Sequence, residues 1–180
     1  MSKTHTKKED SWFKPIILAV AIVFIVRTFI FSPFIVDGAS MEPTLHDRER
    51  IIVSKTSNWI GDINRGDIII IKGTKDNYVK RVIGLPGDVL EMKEDRLFIN
   101  EKEVKEPYLK ENQIVADKKG LLLTGDFGPL QIPEEHYFVM GDNRLDSGDS
   151  RNFLGYIDEK NIIGKSKFVF FPIKNMRITD

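Results

Sequence analysis

The chain has no cysteine, which removes disulfide frameworks, thiolate nucleophiles and cysteine-rich zinc sites in one step. Its three histidines, His5, His46 and His136, are scattered with none at ligand spacing from another, so no metal site is expected and no cofactor is called for. Excess charge is missing as well. The 27 basic residues balance 27 acidic ones, and a chain without a basic field is not expected to bind nucleic acid. There is no internal repeat and no low-complexity tract. Helix-period apolar patterning is absent after Phe34, apart from single turns near Pro43–His46 and Asp158–Asn161. A nucleophile elbow is also missing, because Glu42 stands where Gly-x-Ser-x-Gly around Ser40 would need its second glycine.

What is present begins with an apolar run. Every residue from Ile16 to Val26 is apolar, and after Arg27 and Thr28 that character resumes through Phe34. A helix from Trp12 to Phe34 would be roughly 33 Å long at ~1.5 Å per residue, enough to cross a ~30 Å hydrocarbon core. Arg27 lies toward the C-terminal end of this segment, where its long side chain can snorkel to the interface. A cleaved leader does not fit, because the residues after the apolar core are bulky and form no Ala-x-Ala pattern. A buried core helix is the alternative reading of so short a continuous run. Lys3, Lys7, Lys8 and Lys14 place the N-terminal flank in the cytoplasm by the positive-inside bias. The expected organisation is a cytoplasmic tail over 1–14, a transmembrane anchor over 15–34 in the lipid bilayer of the cell membrane, and an extracytoplasmic domain over 35–180.

Beyond the anchor the patterning becomes strand-like. Arg50–Lys55, Asp67–Lys72, Asn77–Ile83, His136–Met140 and Lys167–Phe171 are short runs rich in β-branched or aromatic residues. Val89–Met92 and Arg96–Ile99, separated by Lys93-Glu94-Asp95, form a hairpin candidate. Such spacing predicts a mainly β fold, a sandwich or barrel-like domain. Residues Glu106 to Pro133 are polar around Leu121-Leu122-Leu123 and read as an excursion from the sheet.

Three stretches hold residues able to do chemistry. In Asp37-Gly38-Ala39-Ser40-Met41-Glu42-Pro43-Thr44-Leu45, Ser40 sits among small residues, as an accessible nucleophile must, although Gly-Ala-Ser is equally the composition of a plain turn. Lys80 occupies a strand that runs into Leu85-Pro86-Gly87-Asp88, a type II turn signal. Alternation puts Lys80 on the face of Tyr78 and Val82, where lost hydration would lower the pKa of its amine. Arg81 shares its own face with Val79 and Ile83, and the pattern does not decide which of the two cations is buried. The third stretch, Gly141 to Arg151, is rich in turn formers and charges; it is either a solvated loop or a brace for a site.

In this order, behind an apolar anchor, the three stretches resemble the bacterial type I signal peptidases, membrane-anchored Ser/Lys endopeptidases. The family's serine box is similar to Gly38-Ala39-Ser40-Met41-Glu42-Pro43-Thr44-Leu45. Its lysine box resembles Lys80 to Asp88, and its C-terminal box resembles Gly141–Arg144 with Ser147–Arg151. The resemblance implies that Ser40 attacks the scissile carbonyl and that Lys80, as the neutral amine, is the general base. It implies that Ser147 hydrogen-bonds and orients Lys80, that Asp149 and Arg151 pair, and that Asp142 and Arg144 join the same brace. The backbone N–H of Ser40 would be one oxyanion donor. Some members carry a serine where this chain has Gly38, as the shorter Gram-positive-like members also have, so the second donor is left unassigned. Phe34, Ile35 and Val36 with Asn77, Tyr78 and Val79 would line the substrate groove. Implied partners are exported preproteins, cut after small residues by a monomeric enzyme without a cofactor. Self-cleaving repressor proteases share the dyad but need an upstream DNA-binding module. A tethered binding protein without activity would be expected to have lost the dyad.

Overall fold

β-Branched and aromatic runs separated by Gly, Asp and Asn become twelve strands in a computed structural model that describes residues 12–25, 30–55 and 63–179. All strand pairings are antiparallel. The larger sheet has eight strands: β1 (Phe31–Ile35), β2 (Arg50–Ser54), β3 (Ile68–Ile71), β4 (Tyr78–Gly84), β9 (His136–Met140), β10 (Ile157–Asp158), β11 (Ile162–Phe171) and β12 (Arg177–Ile178). Its order is β1-β2-β11-β3-β4-β9-β10, with β12 added to β11. The smaller sheet runs β7 (Lys102–Val104), β6 (Arg96–Ile99), β5 (Val89–Lys93), β8 (Phe127–Gln131).

The expected hairpin forms with Lys93 opposite Arg96, leaving Glu94 and Asp95 as a two-residue loop at φ +49° and +59°. Two consecutive positive φ values match the right-handed twist of the flanking strands. Asn100 and Glu101 repeat the device between β6 and β7. The Pro86-Gly87 turn is present too, with Gly87 at φ +80°, and the Asp88 carboxylate holds it by accepting from Leu85 N–H and from Arg65.

Two expectations are corrected. The helix expected from Trp12 to Phe34 is instead α1 (Phe13–Ile25), and Phe31–Phe34 belongs to β1, paired with β2. Pro33 is the physical reason: it cannot continue a helix but is tolerated in an edge strand. Among the described residues no helix is long and apolar enough to cross a membrane. Arg27 and residues 1–11 of the expected tail lie outside the described residues.

The excursion, in turn, is not irregular. It holds α2 (Lys110–Lys119), ended by Gly120 at φ +64°, and then β8, which completes the smaller sheet. Only Leu123 of the three leucines is buried, against Leu109 and Ala116.

The core divides into three main clusters. One gathers Val36, Met41, Leu45, Ile51, Val53, Ile68, Ile70 and Val169, and the second gathers Ile69, Ile71, Val82, Tyr137, Val139, Ile157 and Ile162 with Ile63. Alternate residues of β3 thus feed opposite clusters, so β3 and its neighbour β4 are covered on both faces. The third cluster, with Ile83, Leu90, Met92 and Phe138, joins the two sheets.

Candidate active site

The serine loop is clamped on both sides of Ser40. Gly38 takes φ +89°, a conformation suited to glycine, and its N–H donates 2.8 Å to Asp47 Oδ1. On the other side Leu45 N–H closes a turn onto Met41 O at 3.0 Å, and both of these side chains are buried in the first core cluster. Apolar anchoring therefore leaves Ser40 half-buried at the rim of the core.

Lys80 reaches that rim from the middle of β4. Its Nζ lies 2.6 Å from Ser40 Oγ, and the residue is only 3% exposed. Burial is the main reason its pKa falls to about 8, since an ammonium loses hydration inside the protein. Asp149 and Asp142 pull it back upward, and Arg151 pushes it down.

Arg81, the other cation of the pair, is buried as well. It grips Asp142 with Nε to Oδ1 at 2.9 Å and Nη2 to Oδ2 at 2.6 Å, and donates to Gly66 O at 2.7 Å. The guanidinium also lies 4.0 Å from the ring centre of Tyr108, a cation–π contact. Thr44 of the serine loop donates 2.5 Å to the same Asp142 carboxylate.

The C-terminal loop supplies the remaining groups. Asp149 accepts from Arg151 Nε and Nη2, each at 2.9 Å, and from Gly141 N–H at 3.0 Å. Burial alone would raise its pKa, and the bonds and charge of Arg151 overcome this and hold the carboxyl below its usual range. Asp142 pairs with Arg81 rather than with Arg144, whose guanidinium is bound instead by the Glu106 carboxylate. Ser147 belongs to this loop and lies close enough to Asp149 to help lower its pKa. Its Oγ nonetheless makes no hydrogen bond of ordinary geometry among the described residues, with Lys80 or any other group. Asn143 zips the loop to the nucleophile: its N–H donates 3.0 Å to Ser40 O, and its Nδ2 donates 3.2 Å to Ala39 O.

At Gly141 the two loops approach closely. A Cβ there would stand 2.3 Å from Ser40 O and 2.3 Å from Ser147 Oγ. Gly141→Ala is accordingly expected to push the serine loop away and cut kcat by about 10²-fold, the usual result of a ~1 Å misplacement. Steady-state kinetics check this; an unchanged kcat would show that the contact has slack.

Of the expected groove residues, Val36 is buried in the first cluster and Phe34 and Val79 pack against it. Ile35 is exposed, and the ring of Tyr78 meets Phe153 edge to face at 6.0 Å. β4 pairs with β9 only from Arg81 to Gly84, so Tyr78, Val79 and Lys80 are laddered on the β3 side alone. β1 is an end strand of its sheet. Arg81, Thr44, Glu106, Tyr108 and Asn112 were not assigned roles from the sequence. Arg81 has a signal, as a second cation within a strand of β-branched residues, and Thr44 lies within the serine box; no motif marks the other three. Among the described residues no group of histidine and carboxylate side chains could hold a metal.

The family model described as signal peptidase, peptidase S26, matches residues 10–171. A "Signal peptidase I" of Bacillus licheniformis is 55% identical over 180 residues, covering 97% of each chain. "Signal peptidase I T" of Bacillus subtilis (strain 168) is 56% identical over 182 residues, covering 98% of this chain and 94% of its own. A crystal structure of a signal peptidase I from Enterococcus faecalis V583 superposes with a TM-score of 0.53 at 35% identity, over 58% of this chain and 96% of that one.

Proposed function

As the chain belongs to the S26 family of signal peptidases, we propose that it removes signal peptides from exported preproteins through a Ser40/Lys80 dyad. The observation that carries the reading is the 2.6 Å approach of a buried lysine amine to the Ser40 hydroxyl. Neutral Lys80 takes the hydroxyl proton as Oγ attacks the scissile carbonyl, then delivers it to the departing amine of the mature protein. In the second half Lys80 takes a proton from the water that attacks the acyl-enzyme and passes it to Ser40 Oγ as that oxygen leaves, freeing the signal peptide and restoring the neutral amine and the serine hydroxyl. The Ser40 N–H, which makes no hydrogen bond among the described residues, supports an oxyanion at this position.

The substrate lies extended beside Tyr78–Lys80, whose unladdered edge can pair with a peptide backbone. Phe34 and Ile35 form the opposite wall, with Val36 buried behind them in the first core cluster. Asp149 with Arg151, and Asp142 with Arg81, fix the charges around the base, while Arg144 braces the loop through Gly141 O and Glu106.

The apolar segment that begins with α1 anchors the chain in the bilayer, and lysines on its N-terminal flank keep that side cytoplasmic, leaving the catalytic domain outside. In support, the side chains of Ile16, Ile17, Leu18, Ile22 and Val23, which between them point to every side of the helix, are all exposed, an arrangement that water does not favour. The enzyme works as a monomer on substrates held at the same membrane, which raises their local concentration.

A pH–rate profile tests the base. Cleavage of a preprotein should rise with pH through about 8, the value to which burial lowers Lys80, because only the unprotonated amine accepts the serine proton. A profile already flat from pH 6 upward would rule Lys80 out as the base.

A further inference from the structure

We propose that Asn112 is a positioning residue for the nucleophile, its side-chain amide tying the serine loop to the Gly141–Asn143 loop from helix α2. The proposal rests on the Ser40/Lys80 reading. Asn112 Nδ2 donates 2.9 Å to Glu42 O and 2.8 Å to Asp142 O. Both partners are carbonyls, which only accept, so the face turned toward them must be the amide's two N–H groups. Two carbonyl oxygens brought to one nitrogen repel each other when that donor is removed.

The two tied carbonyls lie beside the reacting serine. Glu42 is two residues beyond Ser40, and Asp142 precedes Asn143, which bonds Ser40 O and Ala39 O. Asn112 therefore closes the far end of a short zipper whose near end holds Ser40. Asp142 is also the carboxylate that takes Thr44 and Arg81, so the same tie sets where that charge sits.

Helix α2 is built to present this one side chain. Buried Leu109 and Ala116 flank Asn112 at spacings of three and four, the positions that share a helix face. The opposite face carries exposed Ile114. The segment preceding α2 reaches the site as well, through Tyr108 on Arg81 and Glu106 on Arg144.

Asn112 touches no reacting atom, so its loss acts through Ser40 geometry and shows in kcat rather than KM. The experiment measures kcat and KM on a preprotein, together with amide hydrogen exchange, for the full chain and three variants. Asn112→Ala and the isosteric Asn112→Asp are expected to lower kcat by about 10- to 100-fold with KM within about twofold. Exchange at the Asn143 amide should speed up in both, while the Ile132 amide, bonded to Asp88 O far from the tie, stays protected. Ile114→Ala, on the outward face of the same helix, should change neither. Wild-type kcat and Asn143 protection in either Asn112 variant would overturn the proposal, as would a loss of protection spread equally to Ile132. If the unmodified enzyme left the preprotein uncut, the functional reading would fall, and Asn143 exchange would still decide whether Asn112 ties the loops.

Discussion

Ser40→Ala and Lys80→Met each reduce preprotein cleavage by about 10⁴–10⁶-fold, the scale on which a nucleophile or its base is lost from a serine protease. Ser40→Ala leaves no oxygen to acylate, and Lys80→Met leaves a hydroxyl with no proton acceptor 2.6 Å away. The second substitution has a further expected result: the melting temperature at pH 7 does not fall. Lys80 has a folded-state pKa of about 8, below its ordinary value of about 10.4. Between those values the unfolded chain binds a proton that the folded chain has released, so wild-type stability rises with pH across that window. Below it, the full cost of enclosing the amine is present, and methionine removes that cost while filling a similar volume. Cleavage assays and thermal melts at pH 7 and pH 9 check both halves. Robust turnover by either variant would dismiss the dyad, and a collapse of the fold in Lys80→Met would show the lysine to be structural.

Arg81→Met has the largest expected effect on stability. It strips Asp142 of both guanidinium bonds in a place where the two side chains are only 7% and 1% exposed, leaving a carboxylate enclosed without its charge partner. Removing one member of such a pair costs about 3–5 kcal/mol, against a total of ~5–15 kcal/mol for a typical domain. For a chain of this size that is roughly 6–20 °C of melting temperature. Adding Asp142→Leu should recover part of the loss, because the orphaned charge goes with it. The recovery is incomplete, since Arg81 also caps Gly66 O and stacks on Tyr108, and Thr44 loses its acceptor. Chemical denaturation of the two single variants and the double variant measures this. Equal stability of Arg81→Met and wild type would mean that Asp142 is solvated after all.

Local chemistry made much of the fold legible. Runs such as Ile68–Ile71 and Tyr78–Gly84 are strands because branched side chains suit a pleated surface, and the Pro86-Gly87 turn follows from φ preferences alone. Helix α2 is not legible in the sequence for an equally physical reason. Its inward face is Leu109, Asn112 and Ala116, one large apolar residue with a small one and an amide, so no apolar stripe exists to be read. Most of β1 reads as part of the preceding apolar run because Phe31 and Phe34 suit a helix in lipid and an edge strand equally; the pairing with β2 decides it.

Sequence alone determined the β class, the turns, the order of the three motifs and the presence of a serine and a lysine suited to one another. Tertiary structure decided the partners. Alternation along β4 could say that Lys80 and Arg81 face opposite ways but not which is enclosed, and both are, because core clusters cover each side of that strand. Asp142 joins Arg81, 61 positions away, rather than its neighbour Arg144, and Asn112 meets a carbonyl 70 positions behind it. The residue pattern of an element records which of its sides faces inward. What stands against that side comes from elsewhere in the chain and is settled only when the sheets close.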